Sequence, residues 1–394
     1  MLTFDPQDPA HVIEGMPFDV LQRVRAEQPV CPTPAGDWYL ARQEEILAAL
    51  RDVGTFRTDL ARMSGLGRLD DIPEEQLFLS EIPEPRHGQV RRLYNMYFGP
   101  HRVGRVEAFV RDVCERLLDD LLAAGEGDLH RGYAMSIPSR VMAHIMGLPD
   151  DAAAKFMEWS FGGSLMLRPA SPGVGPGGPP IHAYFAEQLA SRRAAAEPPD
   201  DVFRLLMQAE VEGEPLTDTE VVTQLQFMIT AGVHTTRGLL VHLVHRLLRS
   251  PELFVRLRDD RTLVAPLVEE SLRHDSPVQA TTRRCMRDVD LGTVNMQAGE
   301  LVHVGIGSGN RDETVYDDPD AFRLDRSDPR NHLGFGAGSH ICPGATLARM
   351  EAVMAVETLL DRVASMSPVP DAEYPPIPGG LDHRPIPARL VAAQ

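Results

Sequence analysis

The stretch from Thr217 to Arg249 limits the possible folds more than any other part of the chain. It opens with Thr217-Asp218-Thr219-Glu220, a pattern in which Thr217 and Glu220 satisfy each other's free amides at a helix start. Behind that cap runs VVTQLQFMITAGVHTTRGLLVHLVHRLL, apolar on nearly every face. At 1.5 Å per residue the spacing predicts a helix over 218–249, roughly 45 Å long. A helix apolar almost all round must cross the middle of its protein. Helical spacing recurs over 103–124, with Val106, Phe109, Val110, Val113, Leu117, Leu118 and Leu121, and over 343–361. Strand signals are fewer: Trp38-Tyr39-Leu40, and two runs at 288–294 and 300–306 that read as a pair joined by a turn from Asn295 to Gly299. The stretch 169–180, PASPGVGPGGPP, reads as a loop between two helices. Length alone allows several domains. Helices that look like parts of one core on both sides of that loop predict a single domain over 1–394, mainly α with a small β region.

Charge narrows the function. The chain carries 39 basic and 57 acidic residues, a net charge of −18. That balance argues against a nucleic-acid partner, whose affinity comes from basic groups on phosphates, and against docking on anionic lipid. The start, MLTFDPQDPAHVIEG, has neither a basic nor an apolar leader segment, and no run offers the ~20 apolar residues of a membrane span. Cys31, Cys114, Cys285 and Cys342 stand far apart with no C-x-x-C pair. A disulfide framework or zinc site is not expected, and the reading is a reduced, cytoplasmic protein.

Chemistry concentrates around Cys342. In Phe335-Gly336-Ala337-Gly338-Ser339-His340-Ile341-Cys342-Pro343-Gly344, glycines before and after the cysteine let the backbone turn tightly and approach a flat ligand closely. A helical pattern begins just after Cys342, so its sulfur sits where unpaired amides and the helix dipole favour thiolate. The other three cysteines read as inert and buried. The loop resembles the ligand loop of the cytochrome P450 family of haem-thiolate monooxygenases, F-x-x-G-x-H-x-C-x-G, with Phe335, Gly338, His340, Cys342 and Gly344 at the fixed positions. A thiolate on haem iron pushes electron density onto bound oxygen.

That resemblance covers almost the whole chain and implies further roles. The cofactor is haem b, with Cys342 as metal ligand and Phe335 and Gly344 shaping the loop. His87 and Arg91, four apart in PEPRHGQVRR, resemble a propionate clamp; Arg283 matches another propionate-binding arginine, with Arg284 the adjacent candidate; His340 completes the set. Glu270 and Arg273 in E-S-L-R, joined by Arg326, resemble the family's buried structural pair and its downstream arginine. Within the long helix, Ala231-Gly232-Val233-His234-Thr235-Thr236 is similar to the oxygen-binding segment. Gly232 leaves room for dioxygen, and the Thr235 hydroxyl can hydrogen-bond it and pass protons. Threonines in helices also bond back to their own carbonyls. His234 stands where the family usually has an acid. Histidine can relay protons too, and the family's sterol-demethylating branch shares it.

In the family, substrate enters between the long helix and two variable regions, matched here by 57–83 and 157–185. Met157, Phe161, Leu165, Met166 and Leu167 suit an apolar cavity wall, and Val278, Gln279, Ala280 and Thr281 should approach the distal haem face. A hydrophobic small molecule is implied. No flavin or iron–sulfur module is fused to the chain, so electrons would come from a separate ferredoxin and its reductase. Two alternatives stand beside monooxygenation: a peroxide-driven peroxygenase or oxidative-coupling enzyme, and a non-catalytic haem-thiolate sensor.

Overall fold

The computed structural model describes residues 2–175, 178–197, 199–374 and 384–393; Pro176 and Gly177 of the Pro/Gly-rich stretch lie outside them. The central helix runs Asp218–Arg249. Its start is closed as the sequence predicts: Thr217 Oγ1 accepts the Glu220 amide at 3.2 Å, and Glu220 Oε2 accepts the Thr217 amide at 2.8 Å. Leu225, Leu240, Leu243, Leu247 and Leu248 along it are 0 % exposed, each fully buried leucine contributing about 1.5–3 kcal/mol. Around it pack the helices Ser136–Ile145, Pro180–Ala194, Val264–His274 and Ala345–Arg362. The Pro180–Ala194 helix and Ala152–Phe161 flank the Pro/Gly-rich loop. The helix expected over 103–124 is two, Pro100–Arg105 and Glu107–Ala124, meeting at Val106. The second stops at Gly125, whose left-handed backbone (φ 69°) returns its amide to the Leu121 carbonyl.

The small β region is built around a five-stranded sheet in the order Val30–Pro32, Trp38–Leu40, Leu301–Val304, Thr281–Cys285, Phe56–Thr58. This corrects the expected hairpin of 288–294 with 300–306. Leu301–Val304 instead pairs antiparallel with Thr281–Cys285, Val302 opposite Arg283, and parallel with Trp38–Leu40. The shorter pair is Val289–Asp290 with Asn295–Met296. All four residues of Leu301–Val304 are buried, so the strand needs partners on both edges, which a two-stranded hairpin cannot supply. A second sheet orders Val363–Pro368, Pro387–Ala392 and Glu126–Asp128. Among the described residues no helix is long and apolar enough to cross a membrane.

Glu270 accepts a bidentate bond from Arg273 (2.7 and 2.8 Å) and one from Arg326 at 3.0 Å. Its carboxyl feels burial pushing its pKa up, but the arginine bonds prevail and hold it below the usual range. The arginines also cap carbonyls of Asn310, Pro319 and Ala321, so the triad fastens the 310–326 segment to the Val264–His274 helix.

Candidate functional site

A cavity of about 320 Å³ lies between the central helix and the cysteine loop. Cys342 enters it just ahead of the Ala345–Arg362 helix, its own amide bonded to the Phe335 carbonyl at 2.9 Å. Burial raises the thiol pKa; the Gly344 amide, the charges of Arg91 and Arg349 and the Ala345 amide pull toward thiolate. A bound cation at the sulfur would tip that balance. Gly338 (φ 70°) makes the loop possible, because a Cβ there would lie 2.7 Å from the Leu50 carbonyl oxygen.

The polar residues predicted from the sequence gather on one side of this cavity. His87 and His340 stack at 4.1 Å between ring centroids. His87 Nδ1 is held by Glu84 at 2.7 Å, while the buried His87 Nε2 and His340 Nδ1 meet no protein partner among the described residues. Burial, with the nearby His87 and Arg283, pushes the His340 pKa down to about 3. Arg283 is 6 % exposed and, among the described residues, bonds to Thr281 Oγ1 and the Thr282 carbonyl, both at 3.1 Å. Burial lowers its pKa to about 10 with no carboxylate opposing. Arg284 points the other way, onto Asp59 at 2.6 Å, as the alternation of side chains along a strand requires. Arg91 donates to the carbonyl of Ile341, the residue before the cysteine, and to Asn95 Oδ1 at 3.1 Å. A buried guanidinium and two unpartnered imidazole nitrogens facing one cavity are costly unless an anion completes them. They would suit the two carboxylates of a haem.

Opposite the cysteine, Ala231, Gly232, Thr235 and Thr236 line the cavity from the central helix. Thr235 Oγ1 donates to the Ala231 carbonyl at 2.6 Å, the back-bond open to any helical threonine. Gly232 meets two demands: besides facing the cavity, it is where a Cβ would come 2.9 Å from Met142 Sδ, so glycine also lets the Ser136–Ile145 helix approach. His234 is not brought into the cavity. Its Nε2 is 3.1 Å from Ser160 Oγ, and its Nδ1 is 3.3 Å from Arg237, which also donates to Ser160 at 3.0 Å. A guanidinium can only donate, so Nδ1 accepts and Nε2 carries the proton toward Ser160.

Of the variable regions, 57–83 supplies Thr58, Leu60, Leu79 and Ser80 to the cavity wall, but Met157, Phe161, Leu165, Met166 and Leu167 do not line it. Leu165 is core, and Met157 and Phe161 pack against that core. Val278 and Thr281 reach the cavity; Gln279 and Ala280 do not. Sequence reasoning missed the fastening between the two regions. Arg168 donates to Ser64 Oγ (2.9 Å), the Gln76 carbonyl (2.6 Å) and Glu81 (2.7 Å), and lies 3.9 Å over the Phe78 ring. Phe78 in turn stacks on Phe227 of the cavity wall at 5.0 Å. Partners 87 residues apart leave no local signal.

The family model described as Cytochrome P450 matches residues 181–381. The chain is 31% identical over 388 residues to a putative cytochrome P450 126 of Mycobacterium tuberculosis, covering 94% of this chain and 93% of the relative. It is 31% identical over 377 residues to the erythromycin C-12 hydroxylase of Saccharopolyspora erythraea, covering 93% and 92% of the two chains. The structure of cytochrome P450 CYP109Q5 from Chondromyces apiculatus superposes with a TM-score of 0.82 at 29% identity, over 98% of this chain and 97% of that one. The chain belongs to the cytochrome P450 family of haem-thiolate monooxygenases.

Proposed function

We propose that residues 1–394 act as one domain holding haem b between the central helix and the cysteine loop, and that the enzyme oxidises a hydrophobic small molecule. The observation that carries this is the meeting, in one cavity, of the Cys342 sulfur, the anion-seeking set of His87, His340 and Arg283, and the Gly232/Thr235 face of the central helix. Bound haem supplies the activation of dioxygen. Cys342 ligates its iron, and Phe335 and Gly344 shape the loop that presents the sulfur. Arg283, His87 and His340 receive the propionates, while Arg91 ties its helix to the loop through the Ile341 carbonyl. Thr235 holds a proton at Oγ1 and can release it toward the cavity when its bond to Ala231 breaks. His234, with Ser160 and Arg237 behind the same turn, supports proton supply from the far side of the helix. Leu60, Leu79, Phe227, Met228 and Val278 offer substrate an apolar wall, which supports a hydrophobic class.

Electrons come from a ferredoxin and its reductase in a reducing cytoplasm, in keeping with four free cysteines. The Thr235 back-bond and the histidine at position 234 favour one second reading, turnover driven by hydrogen peroxide. Reductant consumption with a ferredoxin system, product per electron pair, and turnover with peroxide separate the two. Thr235→Ala should consume reductant but lose product per electron pair, since positioned proton transfer typically contributes about 100-fold or more. Wild-type turnover with peroxide but none with ferredoxin would favour the second reading. His234→Ala with unchanged coupling would remove His234 from proton supply.

A further inference from the structure

Glu269 precedes the structural Glu270 and faces a different neighbourhood, because consecutive helical residues point about 100° apart. Arg349, from the helix that follows the cysteine, grips its carboxylate with two bonds, Nε to Oε1 at 2.6 Å and an outer nitrogen to Oε2 at 3.0 Å. His332 Nε2 lies 2.9 Å from Oε2, while His332 Nδ1 accepts the Gly334 amide at 3.1 Å. An imidazole that accepts at Nδ1 must donate at Nε2, so the neutral ring bridges the loop backbone to the carboxylate. The exposed Arg330 adds a longer ion pair to Oε1 at 3.7 Å. Arg349 and His332 converge on Phe335: the Arg349 guanidinium lies 4.4 Å from its ring centroid and the His332 ring 6.0 Å from it. The Phe335 carbonyl accepts the Cys342 amide. Glu269 is 5 % exposed. Burial pushes its pKa up, yet the His332 and Arg349 bonds outweigh that and hold it down at about 2, so it is a full negative charge in any ordinary buffer.

We propose that Glu269 is a positioning residue for the iron ligand: its carboxylate holds Arg349 and His332 around Phe335 and balances the Arg349 charge that acts on the Cys342 sulfur. The inference rests on Cys342 being the haem ligand. Neutralising Glu269 leaves the arginine uncompensated beside the thiolate, which draws electron density from the sulfur and favours reduced iron. Neutralising Arg349 leaves the carboxylate with only the exposed, more distant Arg330 to offset it and does the reverse.

The test is the reduction potential and the carbon monoxide spectrum of purified holoprotein for wild type, Glu269→Gln, Arg349→Gln and Asp201→Asn. Asp201→Asn breaks a different buried ion pair, Arg192–Asp201 at 2.7 Å, and serves as a control for lost stability alone. The expected result is a potential raised in Glu269→Gln, lowered in Arg349→Gln and unmoved in Asp201→Asn. Unmoved potentials, or shifts of the same sign in both variants, would overturn the proposal. If Glu269→Gln does not retain haem, the sign in Arg349→Gln decides alone. The wild-type carbon monoxide band reports thiolate ligation independently, so failure of that reading is seen before any variant is compared.

Discussion

Replacing Arg168 with alanine should loosen the part of the cavity wall that the 57–83 region supplies. Arg168 and Glu81 are 1 % and 0 % exposed, and they join two segments without long helices or strands, around 61–81 and 165–171. Ser64 adds a bond to the Met166 carbonyl at 2.8 Å, and Gln76 Oε1 accepts the Ala170 amide at 3.1 Å. Removing one member of a buried pair typically costs about 3–5 kcal/mol, because the other charge is left unpaired. Here burial already works against both charged forms, raising the Glu81 pKa and lowering that of Arg168. Water reaching Glu81 would relieve much of the cost, so the lower end, about 3 kcal/mol, applies. Gln224 still holds the first segment to the central helix through the Leu77 carbonyl, and Gln226 and Thr230 hold the second through Leu165. The loss therefore acts on their junction, and a change of about 3 kcal/mol multiplies an open population by at most roughly 150. Stopped-flow binding of 4-phenylimidazole, followed by the haem Soret shift, measures the effect. Association in Arg168→Ala should be tens of times faster than in wild type, with carbon monoxide binding changed far less. An unchanged phenylimidazole rate alongside a lowered melting temperature would refute the argument, leaving the pair as fold support only.

Two further outcomes follow from buried charge. Glu351 is 1 % exposed, its Oε2 has no partner among the described residues, and burial pushes its pKa from 4.5 up to about 8. The folded state therefore keeps a proton that the unfolded chain loses, and stability should fall as pH rises from about 4.5 to about 8. Glu351→Gln should flatten that slope and add about 3 kcal/mol at pH 7; a parallel pH profile in denaturant melts would contradict it. Arg283→Ala removes an unpaired buried cation, so the apoprotein should melt no lower than wild type while haem transfers to an acceptor globin faster. Unchanged haem transfer would take Arg283 out of propionate binding.

Local pattern carried the central helix and the cysteine loop, because a capping box, an apolar run and a cluster of glycines each act within a few residues. It could not choose between Arg283 and Arg284, which needs the strand's register: one faces the cavity, the other Asp59. Nor could it separate Thr235 from His234, which a single step around the helix turns from the cavity wall toward Ser160. The hairpin at 288–306 was misread because strand partners are set by burial across the sheet, not by the nearest turn signal. Arg168–Glu81 and Glu269–Arg349 join residues 87 and 80 apart, and nothing in either segment alone marks them.

The most direct test of the account is the absorption spectrum of reduced, purified protein exposed to carbon monoxide, for wild type and Cys342→Ser. A strongly red-shifted Soret band in wild type, lost in the variant, is the predicted result and makes Cys342 the thiolate ligand. A wild-type band at the position of histidine-ligated haem, or a red-shifted band that survives in Cys342→Ser, would contradict it.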